Sequence, residues 1–143
     1  MEVENFNFAT KNERLTMILQ NHMLEEIDSE KLERHIRAWN KFYIHYPELI
    51  CRIVCDIYCV SYEDFSSINQ KNEYVEPRQL CFYYFRTMKK CSFQLIADHF
   101  NKNHATVIFG NNKMKNYIGN RDKELYPKFI EFQTKLMKYE EYL

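Results

Sequence analysis

The chain's 143 residues are enough for one domain, or one domain with a helical extension, and with 45% of them apolar a real core is within reach. Only 2 Gly and 3 Pro stand against 11 Tyr and 11 Phe, too few turn-makers for a β-sandwich of this length, so helices with short connections are predicted. Basic and acidic residues balance at 20 each, which excludes a polyanion partner chosen by bulk charge; any such partner must be met by local charge.

The opening MEVENFNFATKNE is polar and acidic and lacks the basic start and apolar run of a secretory signal. No apolar run approaches the roughly 18–20 residues that span a bilayer. A cytoplasmic protein with no membrane partner is expected, its 5 Cys reduced. Residues 11–26 carry Leu15, Ile18, Leu19 and Met23 at helical spacing. Asp28 or Ser29 then caps a second helix that runs through Leu32, Ile36, Trp39, Phe42 and Tyr43 to about Tyr46. The aromatics of 39–46 fall at helical spacing and read as core or dimer contacts rather than base-stacking platforms. Residues 11–46 are expected to extend the core, form a homodimer or dock a protein partner.

Pro47 suits the first turn of a third helix, 47–59. Within it Cys51, Cys55 and Cys59 recur every fourth residue and line one face. A metal site would need a fourth ligand and usually closer pairs, so the three read as a buried stripe, and no metal or cofactor is expected. A short helical turn follows at 61–66, then a polar loop, SSINQKNEYVE, at 66–76. Pro77 and Arg78 open the next helix, to about Lys90. Ser92 caps a short one, 93–100, and Asn101, Lys102 and Asn103 make a tight turn. Asn103 caps a helix from His104 to Ile118, with Gly119 where a left-handed C-terminal residue belongs. Mid-helix Gly110 suggests close packing against helix 93–100. The last amphipathic helix, about 122–142, carries Leu125, Phe129, Phe132, Leu136 and Tyr139. His45 and His99 are expected at the surface or half-buried.

Two helices joined by a three-residue turn make a helix-turn-helix, whose second helix can enter a major groove with its N-terminal end. Charge agrees with that placement. Between Glu76 and Ile118 stand seven basic residues, Arg78, Arg86, Lys89, Lys90, Lys102, Lys113 and Lys115, against Glu76 and Asp98. The rest of the chain is correspondingly acidic.

Three groups of residues carry a resemblance. The first is Ile53, Val54, Tyr58 and Val60 with Glu63, Asp64 and Phe65. The second is Pro77, Arg78 and Gln79 opening a helix. The third is Ser92, Phe93, Ile96 and Phe100, then Lys102, Asn103, His104, Ala105, Thr106 and Val107. In this order and spacing, from about Pro47 to Leu136, the chain resembles the C-terminal DNA-binding domain of the bacterial replication initiator DnaA. The resemblance implies an all-α, Trp-repressor-like helix-turn-helix domain at 47–143, with 1–46 as a helical extension. It further implies sequence-preferring binding of double-stranded DNA at the nucleoid, in regulation or replication, with base contacts from Asn103, His104 and Ala105. Arg78, Arg86, Ser92, Lys102 and Thr106 correspond to positions at the backbone, and Lys89, in the basic stretch at a helix end, is expected to contact the backbone as well. The chemistry suits these roles, since Lys and Arg neutralise phosphate while hydroxyls and helix N-termini bond it. Asn can pair with adenine, and a methyl can pack on thymine.

The resemblance has breaks. The loop before Pro77 is basic in the family, whereas here Lys71 is its only base, beside Glu73 and Glu76. Phe100, Asn101 and Lys102 stand in for Phe-Gly-Gly-Arg, and Phe109 stands where the family has His. A helix-turn-helix scaffold that has turned to protein partners is the alternative. No G-x-x-x-x-G-K-[ST] loop, H-E-x-x-H or paired C-x-x-C is present, so neither ATPase nor other enzymatic activity is expected.

Overall fold

Pro47 starts a helix because its fixed φ suits an N1 position that needs no N–H donor. The turn into it is made by Tyr46, left-handed at φ 51. The computed structural model describes residues 44–67 and 71–140, preceded by Glu30, Arg34, Arg37 and Phe42, which are helical. The helices expected over 11–46 otherwise lie outside the described residues, as does Tyr43. Six α-helices follow in order: α1 Pro47–Tyr58, α2 Tyr62–Ser66, α3 Asn72–Tyr83, α4 Phe93–Phe100, α5 His104–Gly119 and α6 Leu125–Glu140. A π-helical turn, Tyr84–Met88, continues α3 directly. Among the described residues there is no strand, and no helix is long and apolar enough to cross a membrane.

The core is built around α3 and its π turn, which bury Leu80, Cys81, Phe82, Tyr84 and Phe85. Ile50, Val54 and Ile57 of α1 meet it from one side, with Leu125, Phe129 and Phe132 of α6 beside them and Ile96 and Phe100 of α4 beyond. Phenylalanines interlock at its centre: the Phe82 ring meets Phe100 edge-on at 5.1 Å, and Phe85 lies 5.1 Å from Phe42. Edge-to-face pairs add roughly 0.5–1.5 kcal/mol to the burial of the rings. Phe42 is thus part of this core although it precedes Pro47, so the N-terminal segment is joined to the domain by packing at that residue.

Several elements differ from expectation. α3 starts at Asn72, well before Pro77, which lies inside the helix. Tyr74 explains this, because its ring is buried and its hydroxyl donates to Asp64 Oδ2 at 3.2 Å, so packing holds a turn whose composition reads as loop. The helix end is wound as a π turn, closed where Lys89 N–H donates to the Tyr84 carbonyl at 3.0 Å. Of the cysteine stripe, Cys51 and Cys55 are buried, but Cys59 ends α1 in the left-handed region and is exposed. His99 is in the core, 5.1 Å from the Phe42 ring and 5.2 Å from that of Phe100. Gly119 is helical, and the left-handed residue after α5 is Arg121. α6 begins at Leu125, where the Asp122 carboxylate accepts from the Glu124 and Leu125 N–H groups. Tyr139 is exposed rather than on the buried face of α6.

Candidate nucleic-acid interface

Each helix of the helix-turn-helix unit is capped by the residue its sequence suggests. Ser92 Oγ accepts from the Leu95 N–H at 3.2 Å and opens α4. Asn103 Oδ1 accepts from the Thr106 N–H at 2.8 Å and opens α5. Between them Asn101 sits at φ 53, and the Lys102 N–H reaches back to the Ala97 carbonyl at 2.9 Å. This six-to-one bond closes α4 in the manner of a Schellman motif. The missing glycine is therefore compensated, because Asn tolerates the left-handed region better than most residues.

Gly110 sets how closely α5 approaches the core. A Cβ there would lie 2.8 Å from Phe82 Cδ2 and 2.9 Å from Gln79 Cγ, so the close packing is against α3, not helix 93–100. With α5 pressed onto α3 at this point, its first turn projects outward. Asn103, His104, Ala105 and Thr106 are all exposed. Phe109, one turn beyond Ala105, is 65% exposed. Sequence reasoning noted Phe109 only as a departure from the family pattern. Its place four residues after Ala105 would have put both on the outer face.

A second group adjoins this turn. The Phe93 ring meets His104 edge-on at 5.7 Å, and the Arg86 guanidinium lies over Phe93, 4.2 Å from the centroid. Arg86 also donates to the Cys91 carbonyl at 3.2 Å, so the π turn, the start of α4 and the start of α5 form one continuous surface. Lys89, half-buried, has its ammonium 5.7 Å from the Tyr84 ring.

Arg78 is placed differently from the other expected backbone contacts. Its side chain is buried, with Nε and Nη2 donating to the Phe65 carbonyl at 3.1 and 2.7 Å and Nη2 to that of Ser67 at 3.2 Å. It ties the α2 end to α3 and lines, with Gln79, Lys102, Asn103 and Thr106, a concavity of about 480 Å³ beside the start of α5. Lys102 is half-buried there. Burial, and then the charge of Arg78, lower its pKa from the usual lysine value. Two cations that disfavour one another at a helix N-terminus make an electropositive hollow. Among the described residues no group of acidic, His and Cys side chains has the makings of a metal site.

The family described as "Bacterial dnaA protein helix-turn-helix" matches residues 47–114. The chain carries a DnaA-type helix-turn-helix domain. The chromosomal replication initiator protein DnaA of Thermoanaerobacter sp. (strain X514) is 33% identical over 120 residues, covering 84% of this chain and 24% of that protein. The DnaA of Mycoplasma pneumoniae is 33% identical over 92 residues, 64% of this chain and 20% of its own. DnaA 1 of Chlamydia pneumoniae is 40% identical over 62 residues, 43% and 14% respectively. The chain thus spans about a quarter or less of the length of these relatives. No solved structure matches it. The matched span of the DnaA-type domain runs from Pro47, the first residue of α1, to Met114 inside α5, and so includes α4, the turn and the N-terminal part of α5.

Proposed function

We propose that this chain binds duplex DNA with a sequence preference, seating the first turn of α5 in a major groove, in a regulatory or replication-related role on the nucleoid and without nucleotide hydrolysis of its own. The observation that carries this reading is the exposed turn Asn103–Thr106, flanked on one side by Lys102 and on the other by the Phe93–Arg86 stack. His104 and Ala105 present a ring nitrogen and a methyl to base edges. Phe109 adds an apolar contact suited to a thymine methyl. Arg86, Lys89, Ser92, Lys102 and Thr106 take the phosphates. Arg78 acts from beneath, as the clasp that orders the α2–α3 corner.

Asn103 and Thr106 are coupled. Both lone pairs of Asn103 Oδ1 are engaged by Thr106, through its N–H and, at 2.9 Å, its hydroxyl. On binding, the Thr106 hydroxyl turns to a phosphate oxygen, and one lone pair of Asn103 becomes available to a base.

The competing reading, a protein-docking scaffold, draws on exposed Glu73 at the start of α3, where the family's basic loop would be. A titration of the chain against random and site-selected duplexes at 50 and 200 mM salt separates the two. Three cationic contacts, from Arg86, Lys89 and Lys102, predict a loss of affinity of at least about 40-fold over that range. A flat response, or no binding at low salt, overturns the DNA reading.

A further inference from the structure

α5 meets the rest of the domain through its buried residues, Val107, Gly110, Asn111 and Met114. Three of them offer no directional group. Val107 and Met114 make apolar contacts, which resist separation but hardly resist rotation, and Gly110 offers bare backbone to α3. Asn111 is the exception. It is 4% exposed, and its Oδ1 accepts from Thr87 Oγ1 at 2.8 Å. A hydrogen bond weakens steeply once its angle leaves a narrow range, so this one ties the rotation of α5 to the position of Thr87.

Thr87 is itself held by an irregular turn. It belongs to the π turn Tyr84–Met88, in which the Lys89 N–H donates to the carbonyl five residues back rather than four. The extra residue alters where the side chains of that turn point relative to a regular helix, and such turns recur at functional sites. Two consecutive side chains use the result. Arg86 lies over Phe93 and donates to the Cys91 carbonyl, on the surface proposed to meet phosphate. Thr87, half-buried, is directed at α5 instead. On α5, Asn111 stands seven residues after His104, two turns or about 10 Å along one rigid rod.

We propose that Thr87 and Asn111 are positioning residues for sequence recognition. Their hydrogen bond fixes the angle of α5 against the phosphate-facing π turn, so that the start of α5 meets base edges in register while Arg86 and Lys89 hold the backbone. This rests on the DNA-binding reading above. Neither residue touches DNA. A phosphate contact tolerates a small rotation of α5, because a charge acts over distance, whereas a base contact does not. The pair therefore acts on discrimination between duplexes and not on affinity in general. Its polarity suits this role better than that of holding the core together, since an apolar pair of the same shape would fill the site at nearly equal stability.

The test compares the parent chain with T87V/N111L, which replaces both partners by apolar groups of similar shape. Thermal unfolding establishes that the variant is folded. Competition between a site-selected and a random duplex then gives the discrimination ratio. The ratio should fall by about tenfold, the share that about one base pair carries, while affinity for the random duplex and its salt slope match the parent's. T87S keeps the hydroxyl and should keep the ratio. An unchanged ratio in T87V/N111L overturns the proposal. So does an equal loss against both duplexes, which marks the pair as structural, and so does a lost ratio in T87S, where the hydroxyl is still present. If the double variant is unfolded at the assay temperature, T87V alone decides by the same criteria, since it exchanges one hydroxyl for a methyl at a half-buried position. A parent that binds neither duplex, or both equally, overturns the DNA reading itself, an outcome that shows before any substitution is made.

Discussion

Asn103 Oδ1 accepts two hydrogen bonds from Thr106, 2.8 Å from its backbone nitrogen and 2.9 Å from its hydroxyl. One side chain therefore both caps α5 and holds the hydroxyl expected at phosphate. Replacing Asn103 by Ala removes the cap and should lower stability by about 1 kcal/mol. Asn103→Asp keeps the cap and should restore the thermal midpoint, but it presents only acceptors to a base. Site selection with that variant should shift from adenine toward cytosine at one position. An unchanged preference would confine Asn103 to capping. Thr106→Val should weaken binding to all duplexes by about the same factor and leave the preferred site alone.

Arg78 is the residue for which the expected and observed settings differ most. Its guanidinium satisfies the Phe65 and Ser67 carbonyls from a buried position. Arg78→Met should leave those acceptors without their donor, and each costs roughly 1–3 kcal/mol. Chemical denaturation should report the loss. At temperatures where the variant is folded, the salt slope of DNA binding should match the parent's. A shallower slope would return Arg78 to the phosphate set.

Phe109 stands exposed on the outer face of α5, one turn from Ala105. Phe109→Ala should barely change the unfolding midpoint, since little buried surface is lost. It should reduce the discrimination between the preferred site and its variants with a thymine replaced, measured by competition. Equal loss against every duplex would mean that the ring touches no base.

The thiols offer a check on the packing. Cys59 is exposed, whereas Cys51, Cys55, Cys81 and Cys91 are buried. Burial raises Cys55 to about 12 and Cys91 to about 11. The thiolate is the reactive form, so at pH 8 both are almost wholly protonated as well as shielded. Brief alkylation of the folded chain, followed by mass spectrometry, should mark Cys59 first and alone, with the other four reacting on denaturation. Early labelling of Cys55 would contradict the α1 packing.

The legible parts of the sequence were those in which local chemistry decides the structure. Ser92 and Asn103 write their own caps, and the short turn between them leaves few alternatives, so α4, the turn and α5 follow from residues 92–118 alone. Where tertiary packing decides, residue type misled. Asn72–Glu76 is polar and precedes a proline, yet the burial of Tyr74 makes it helix. His99 was read by its polarity, although its place three residues after Ile96 puts it on the buried face of α4. Arg78 was placed at the backbone by the resemblance and its charge, and no local pattern announces that Phe65 and Ser67 direct carbonyls at it.

The two glycines of the chain make opposite predictions, although both lie in α5. An alanine in the interior of a helix is favoured over glycine by about 1 kcal/mol, all else equal. At Gly119 all else is equal: nothing lies within 4 Å of an added Cβ, and no left-handed conformation has to be kept. Gly119→Ala should therefore raise stability by a few tenths to about 1 kcal/mol. At Gly110 the added carbon meets the Phe82 ring at 2.8 Å. That ring cannot withdraw, since it is 2% exposed and wedged edge-on against Phe100. Overpacking of this kind costs about 1–3 kcal/mol, which outweighs the propensity gain. Gly110→Ala should lower the unfolding midpoint. It should also weaken DNA binding beyond what the lost stability explains, because relief of the clash tilts α5 and moves His104 with it. If Gly110→Ala proves neutral in both measurements, α5 does not sit as tightly on α3 as the contact at Phe82 requires.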